Sequence, residues 1–256
     1  MRFQFLSCII LALMAATPAS STTVPLDFSN QSFDTITRQF LFTDILGPSS
    51  GINLRAVPID GPASFVSAND TNNASASGQL GRINIDVQTG TVATDFRFTF
   101  VDSTNSIVSP GGDVEIGLLD IDFLQREAVT VLSPARVVAA DTTNLTLDTD
   151  PNGGAPRFRG VNVSNVPNPT SSTTLTADQE RAAISVFFGE VSSFDLRLAV
   201  LAGADGNGRN FLLDGAVTFD DTTPTNVVNT VPLPAPALLL LSGIGALFYL
   251  RRRRQA

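Results

Sequence analysis

Carboxylates are the only side chains with acid–base chemistry near neutral pH that this chain offers in quantity. It has 24 Asp and Glu residues but no histidine, and all 16 of its basic residues are arginine because lysine is absent as well. Cysteine occurs once, at Cys8, and tyrosine once, at Tyr249. Serine-, cysteine- and amine-dependent catalysis therefore lack their usual base or nucleophile, and neither a disulfide framework nor a Cys/His zinc site can be assembled. What remains is the two-carboxylate chemistry of glycoside hydrolysis, for which Glu115, Asp120, Asp122 and Glu127 are the best clustered candidates. Asp120 and Asp122 alternate with Leu119, Ile121 and Phe123, which predicts one strand face with the two carboxylates about 7 Å apart. The same alternation describes any solvent-facing strand, and the chain reads as non-catalytic.

A second chemistry is metal binding. Asp148, Asp150 and Asn152 alternate ahead of Gly153, as in the opening of a calcium loop, where oxygen donors alternate and a glycine makes the turn. A full helix–loop–helix calcium site should place a glutamate where Arg159 stands, so the expectation is a looser surface calcium site. Asp205-Gly206-Asn207-Gly208 reads as a hairpin turn. Tryptophan is absent and Tyr249 lies at the C-terminal end, so the usual sugar-stacking rings are missing from the body.

The elements that must position these groups read as strands. Between Asp27 and Asp221, which enclose every acidic residue, 11 arginines face 24 acids, a formal charge of −13. Such a body repels nucleic acid, which is excluded as a partner on this reading. The 256 residues are 43% hydrophobic, enough for one sizeable core. Period-two alternation in residues 83–87, 96–100 and 119–123, with further apolar runs at 40–45, 114–118, 128–132, 136–140, 184–188, 194–201 and 211–219, predicts ten to twelve strands. An antiparallel β-sandwich, or a jelly roll, over residues 20–220 is the expected fold. One short helix is expected at 175–183, where Thr176 and Gln179 have capping-box spacing. Loops are expected at 47–51, 69–81, 109–113, 148–156 and 204–210, and the threonine-rich stretch 221–230 reads as a polar stalk.

Both ends of the chain read as addresses. Met1-Arg2 followed by the apolar run Phe3 to Ala16 and the small residues up to Ala19 predict a secretory signal peptide over residues 1–19, a substrate of signal peptidase. At the other end stand Val231-Pro232-Leu233-Pro234-Ala235, an apolar run over Ala237 to Leu250, and the stop-transfer cluster Arg251, Arg252, Arg253 and Arg254. The run covers only about 20 Å as a helix, a short transmembrane span whose arginines stay cytoplasmic and leave the body outside. A Gram-positive sorting signal would need threonine and glycine after the Leu-Pro pair, and a GPI signal would not end in arginines.

This three-part tail resembles the PEP-CTERM sorting signal of Gram-negative bacteria, in the variant that begins Val-Pro-Leu-Pro-Ala. The resemblance spans residues 231–256, the sorting signal only. It implies recognition by an exosortase, a membrane-embedded peptidase that cuts near the proline motif and passes the body to the cell surface or extracellular matrix. Proteins of this kind commonly accompany exopolysaccharide and biofilm production. The expectation is therefore an exported surface or matrix protein with a structural or adhesive role. Two alternatives are a calcium-assisted glycan-binding module of the extracellular polysaccharide and a permanently anchored envelope protein.

Overall fold

The structure is a computed structural model that describes residues 22–67, 80–86, 90–121, 126–133, 135–152, 154–160, 166, 168–202, 209–220 and 225–229. The signal-peptide residues, Asp122, Gly153 and the whole tail from Val231 lie outside them.

Among the described residues there are sixteen strands. They are β1 (Thr23–Val24), β2 (Gln31–Asp34), β3 (Gln39–Phe42), β4 (Ile52–Asp60), β5 (Val66–Ser67), β6 (Gly81–Ile85), β7 (Val92–Asp102) and β8 (Asp113–Leu119). There follow β9 (Glu127–Val131), β10 (Arg136–Ala140), β11 (Leu145–Thr149), β12 (Pro156–Gly160), β13 (Ile184–Gly189), β14 (Ser193–Val200), β15 (Arg209–Asp214) and β16 (Thr225–Asn229). They form two eight-stranded sheets. The first runs β16-β10-β13-β8-β15-β6-β5, with β1 alongside the start of β8 as the one parallel pair. The second runs β11-β12-β9-β14-β7-β4-β3-β2. Neighbours within it are antiparallel throughout.

The sheets lie face to face over a single core, as a sandwich requires. Alternate residues of the central strands reach it: Ile83 and Ile85 from β6, Val114, Ile116 and Leu118 from β8, and Ile184, Val186 and Phe188 from β13 on one side. Phe40 and Phe42 from β3, Phe96, Phe98 and Phe100 from β7, and Phe194, Leu196 and Leu198 from β14 meet them from the other. Phe194 joins the layers, stacked on Phe98 of its own sheet at 4.9 Å and on Phe188 of the opposite sheet at 4.3 Å between centroids. From β6 to β10 every successive strand crosses to the other sheet, as do β13, β14 and β15. A smaller apolar cluster, Leu80, Leu119, Ala183, Leu212 and Val217, covers part of the outer face of the first sheet.

Several expectations change. The count of ten to twelve strands was low because short strands and those with polar outer faces, among them β2, β4, β11 and β12, carry weak alternation. The helix is one turn, α1 (Ala177–Glu180), closed by the expected capping box: Thr176 N–H donates to Gln179 Oε1 at 2.8 Å, and Gln179 N–H to Thr176 Oγ1 at 3.4 Å. The strand expected at 119–123 is not begun by its described residues, 119–121. β8 ends at Leu119, and Asp120 takes a φ of +64°, which breaks the period-two alternation that would have placed it beside Asp122. The stretch read as a stalk contains β16, which pairs antiparallel with β10 from Arg136↔Asn229 to Ala140↔Thr225. Thr225-Asn226-Val227-Val228-Asn229 has the β-branched residues a strand favours. Residues 203–208, with their Asp-Gly-Asn-Gly sequence, lie outside the described residues and join β14 to β15 in the other sheet, so they do not close a hairpin between paired strands.

Candidate functional site

The outer face of the second sheet carries an ordered row of charge. Asp95-Phe96-Arg97 on β7 and Asp195-Leu196-Arg197 on β14 share one pattern, and antiparallel pairing sets Arg97 opposite Asp195 and Arg197 opposite Asp95. Arg97 grips Asp195 with two bonds, Nε to Oδ1 at 2.9 Å and Nη2 to Oδ2 at 2.8 Å. Arg197 does the same to Asp95 at 2.5 and 2.9 Å. The register continues through Thr130 on β9 and Arg157 on β12 to Asp148 on β11, so Asp95, Arg197, Thr130, Arg157 and Asp148 form one line across five strands.

The predicted calcium donors belong to this row. Asp148 accepts from Arg157 Nε at 2.7 Å and Nη2 at 2.9 Å, and Arg159 Nε lies 2.7 Å from its second oxygen. Those arginines, Arg157 first, hold its carboxyl below the usual aspartate range. Asp150 is 97% buried; it accepts from Thr130 Oγ1 at 2.7 Å and from Arg197 Nη1 at 3.1 Å. Burial pushes the Asp150 carboxyl up, but the Asn152 N–H, Thr130 and Arg197 together outweigh it and leave the group below its ordinary value. Asn152 contributes its backbone N–H to Asp150 Oδ1 at 2.8 Å, and Gly154, at φ +72°, completes the turn between β11 and β12. The alternating oxygens thus serve a hairpin turn and an arginine row, and Arg159, where a calcium loop would carry glutamate, is itself a partner of Asp148. Among the described residues no three Asp, Glu, His or Cys side chains converge on a metal position.

The carboxylates considered for catalysis are dispersed. Glu115 lies on the first sheet, where burial raises its carboxyl against the opposing pull of Ser185 and Arg136. Glu127 is buried on β9 of the second sheet, and Asp120 stands beyond the end of β8.

The structure instead assembles a cleft that sequence reading missed. Residues 25–29 run between β1 and β2 with Leu26 and Phe28 in the core, so Pro25, Asp27 and Ser29 face the other way. They meet Asp214 at the end of β15, whose Phe211 and Leu213 likewise point inward. A cavity of about 430 Å³ lies between them, with Ser171, Ser172 and Thr173 on its third side and Ala216 contributing apolar surface. The two strips approach closely because residue 215 is glycine: a Cβ there would stand 2.3 Å from the Leu26 carbonyl oxygen. Ser29 N–H donates to Asp27 Oδ1 at 2.9 Å and Gly215 N–H to Asp214 Oδ1 at 2.7 Å. Ser172 gives Asp214 its hydroxyl and its N–H. Burial nevertheless pushes the Asp214 carboxyl up, with the Asp27 charge acting in the same direction. Asp27 and Asp214 are 187 positions apart in sequence, so only the fold brings them together.

No protein-family model matches the chain, and no curated protein matches it. Among solved structures it is similar to the adhesin domain of PrgB from Enterococcus faecalis, solved bound to DNA, with a TM-score of 0.37 and 12% sequence identity. The match covers 64% of this chain and 60% of that one, less than two thirds of the neighbour.

Proposed function

We propose that this is an exported cell-surface or matrix protein with a structural or adhesive, non-catalytic role, delivered by the signal peptide of residues 1–19 and processed at a PEP-CTERM-type tail by an exosortase. The observation that carries the reading is the order of parts at the C-terminus: the motif Val231 to Ala235, the apolar run Ala237 to Leu250 and the cluster Arg251 to Arg254. The body supports it. Its ion-paired outer face and phenylalanine core build an acidic sandwich, and histidine and lysine are absent from the chain as proton carriers. Asn229, the last residue of β16, leaves only Thr230 before the motif, so a peptidase acting there works against the edge of a folded sheet. The calcium-assisted alternative is the weaker reading, because Asp148 and Asp150 already face arginines.

The test is the intact mass of protein recovered from cell surface and medium, in the native host and in one lacking its exosortase. The expected mature species lacks both the residues before about Ser20 and the Arg251 to Arg254 end, and the tail is retained only in the mutant host. A tail retained in both hosts overturns sorting in favour of a permanent anchor.

A further inference from the structure

We propose that the Asp27–Asp214 cleft binds an uncharged saccharide, one or two sugar rings long, without calcium. The inference deepens the adhesive reading above and rests on it for the meeting of body and glycan.

The cavity volume of about 430 Å³ lies within the ordinary range for small-ligand sites, roughly 300–1,000 Å³. Its walls are chemically divided. Pro25 and Ala216 offer a surface for the C–H face of a pyranose, while Asp27 and the hydroxyls of Ser29 and Thr173 offer an acceptor and rotatable donors to its O–H edge. Ser29 N–H takes one oxygen of Asp27, which fixes the carboxylate and leaves its second oxygen for a ligand hydroxyl. Hydrogen bonds from ligand hydroxyls to an ionised carboxylate are the stronger, charge-assisted kind, and a site lacking stacking rings depends on them.

The same groups decide against other ligands. Two carboxylates in a body of charge −13 repel uronates, sulfated sugars and phosphates. A calcium ion asks for six to eight oxygens, whereas the Asp214 carboxylate is already engaged by Gly215 and by both donors of Ser172, and no third acid approaches among the described residues. Close packing of Gly215 on Leu26 fixes the width of the opening before any ligand arrives, which lowers the ordering cost of binding.

The experiment is calorimetric titration of the full-length protein in detergent with three probes, cellotriose, N-acetylchitotriose and trigalacturonate, each with and without EDTA. The expected result is saturable, EDTA-insensitive binding of at least one neutral trisaccharide, at least about tenfold weaker in both Asp27→Asn and Ser29→Ala, with no binding of trigalacturonate. Asp178→Asn on α1, outside the cleft lining, should bind as the parent does. Unchanged thermal midpoints in the two cleft variants separate lost contacts from lost folding. The proposal is overturned by absence of binding to both neutral probes up to about 10 mM. It is equally overturned by binding that EDTA abolishes, by comparable binding of trigalacturonate, or by affinity that neither cleft variant changes. None of these outcomes touches the sorting reading, which the mass of the tail decides by itself.

Discussion

Arg197 is the residue on which the outer face of the second sheet converges. Its side chain is 14% exposed, and its guanidinium holds Asp95 and Asp150, whose side chains are 12% and 3% exposed. Removing it strands two buried carboxylates, so Arg197→Met should lower unfolding free energy by about 3–5 kcal/mol in denaturant titration. Arg97→Met, at a side chain 53% exposed to water, should lower stability far less in the same titration. The row also sets a pH response. Asp148 and Asp150 titrate below their ordinary value of 3.8 in the folded chain, so their contribution is present above that value and disappears as pH falls through the lower folded values. Asp214 has the opposite sign: its folded value is raised, so its carboxyl disfavours folding increasingly as pH rises through that value. Thermal midpoints measured from pH 7 down to about pH 2 should fall steeply at the acid end in the parent, and Asp214→Asn should raise the neutral-pH midpoint while leaving the acid fall in place.

At the scale of elements, the cleft depends on two strips of chain whose approach is set by one missing methyl. Gly215→Ala has to push Leu26 away, since a Cβ would lie 2.3 Å from its carbonyl oxygen and 2.7 Å from its nitrogen. It should destabilise the fold by about 1–3 kcal/mol and widen the cleft, which loss of hydrogen-exchange protection at Asp27 N–H, bonded to the Ile45 carbonyl at 2.7 Å, would report. Elements with clean alternation were legible from sequence: β7 from Phe96, Phe98 and Phe100, β13 and β14 from their apolar runs, and α1 from Thr176 and Gln179. The loop expected at 148–156 overlaps the ends of two strands, Asp148-Thr149 of β11 and Pro156 of β12, because the stretch is rich in turn formers while neither strand carries a clear apolar alternation. A usable signal was present there. Two Asp-x-Arg triplets are self-complementary in antiparallel pairing, and Asp148 finds its match in Arg157-Phe158-Arg159 by the same rule. β16 is hidden in sequence by Thr225, Asn226 and Asn229 and by the threonines before it, which composition alone assigns to a tether.

For the whole molecule, the alternation of strands between sheets means that most pairings join distant stretches of chain: β4 with β7, β7 with β14, β8 with β13 and β15. Loop closure must precede nearly every rewarding contact, so refolding from denaturant should be slow, in the range of milliseconds to seconds or longer; a microsecond phase carrying the full amplitude would contradict this topology. That topology is also why the cleft could not be read from sequence. Period and turn chemistry are local, whereas Asp27 meets Asp214 only because the residues after β1 run against the end of β15. β16 has a mechanical consequence. Tension applied through the residues after Asn229 enters the sandwich at a strand at the end of its sheet, held by five backbone pairings to β10. A pull along the strand loads those pairings together, and a pull across it opens them one after another from Asn229 inward. The direction of tension, more than the depth of the phenylalanine core, then decides when this strand yields, and its departure uncovers on β10 a row of unpaired N–H and C=O groups that a strand from another chain can occupy.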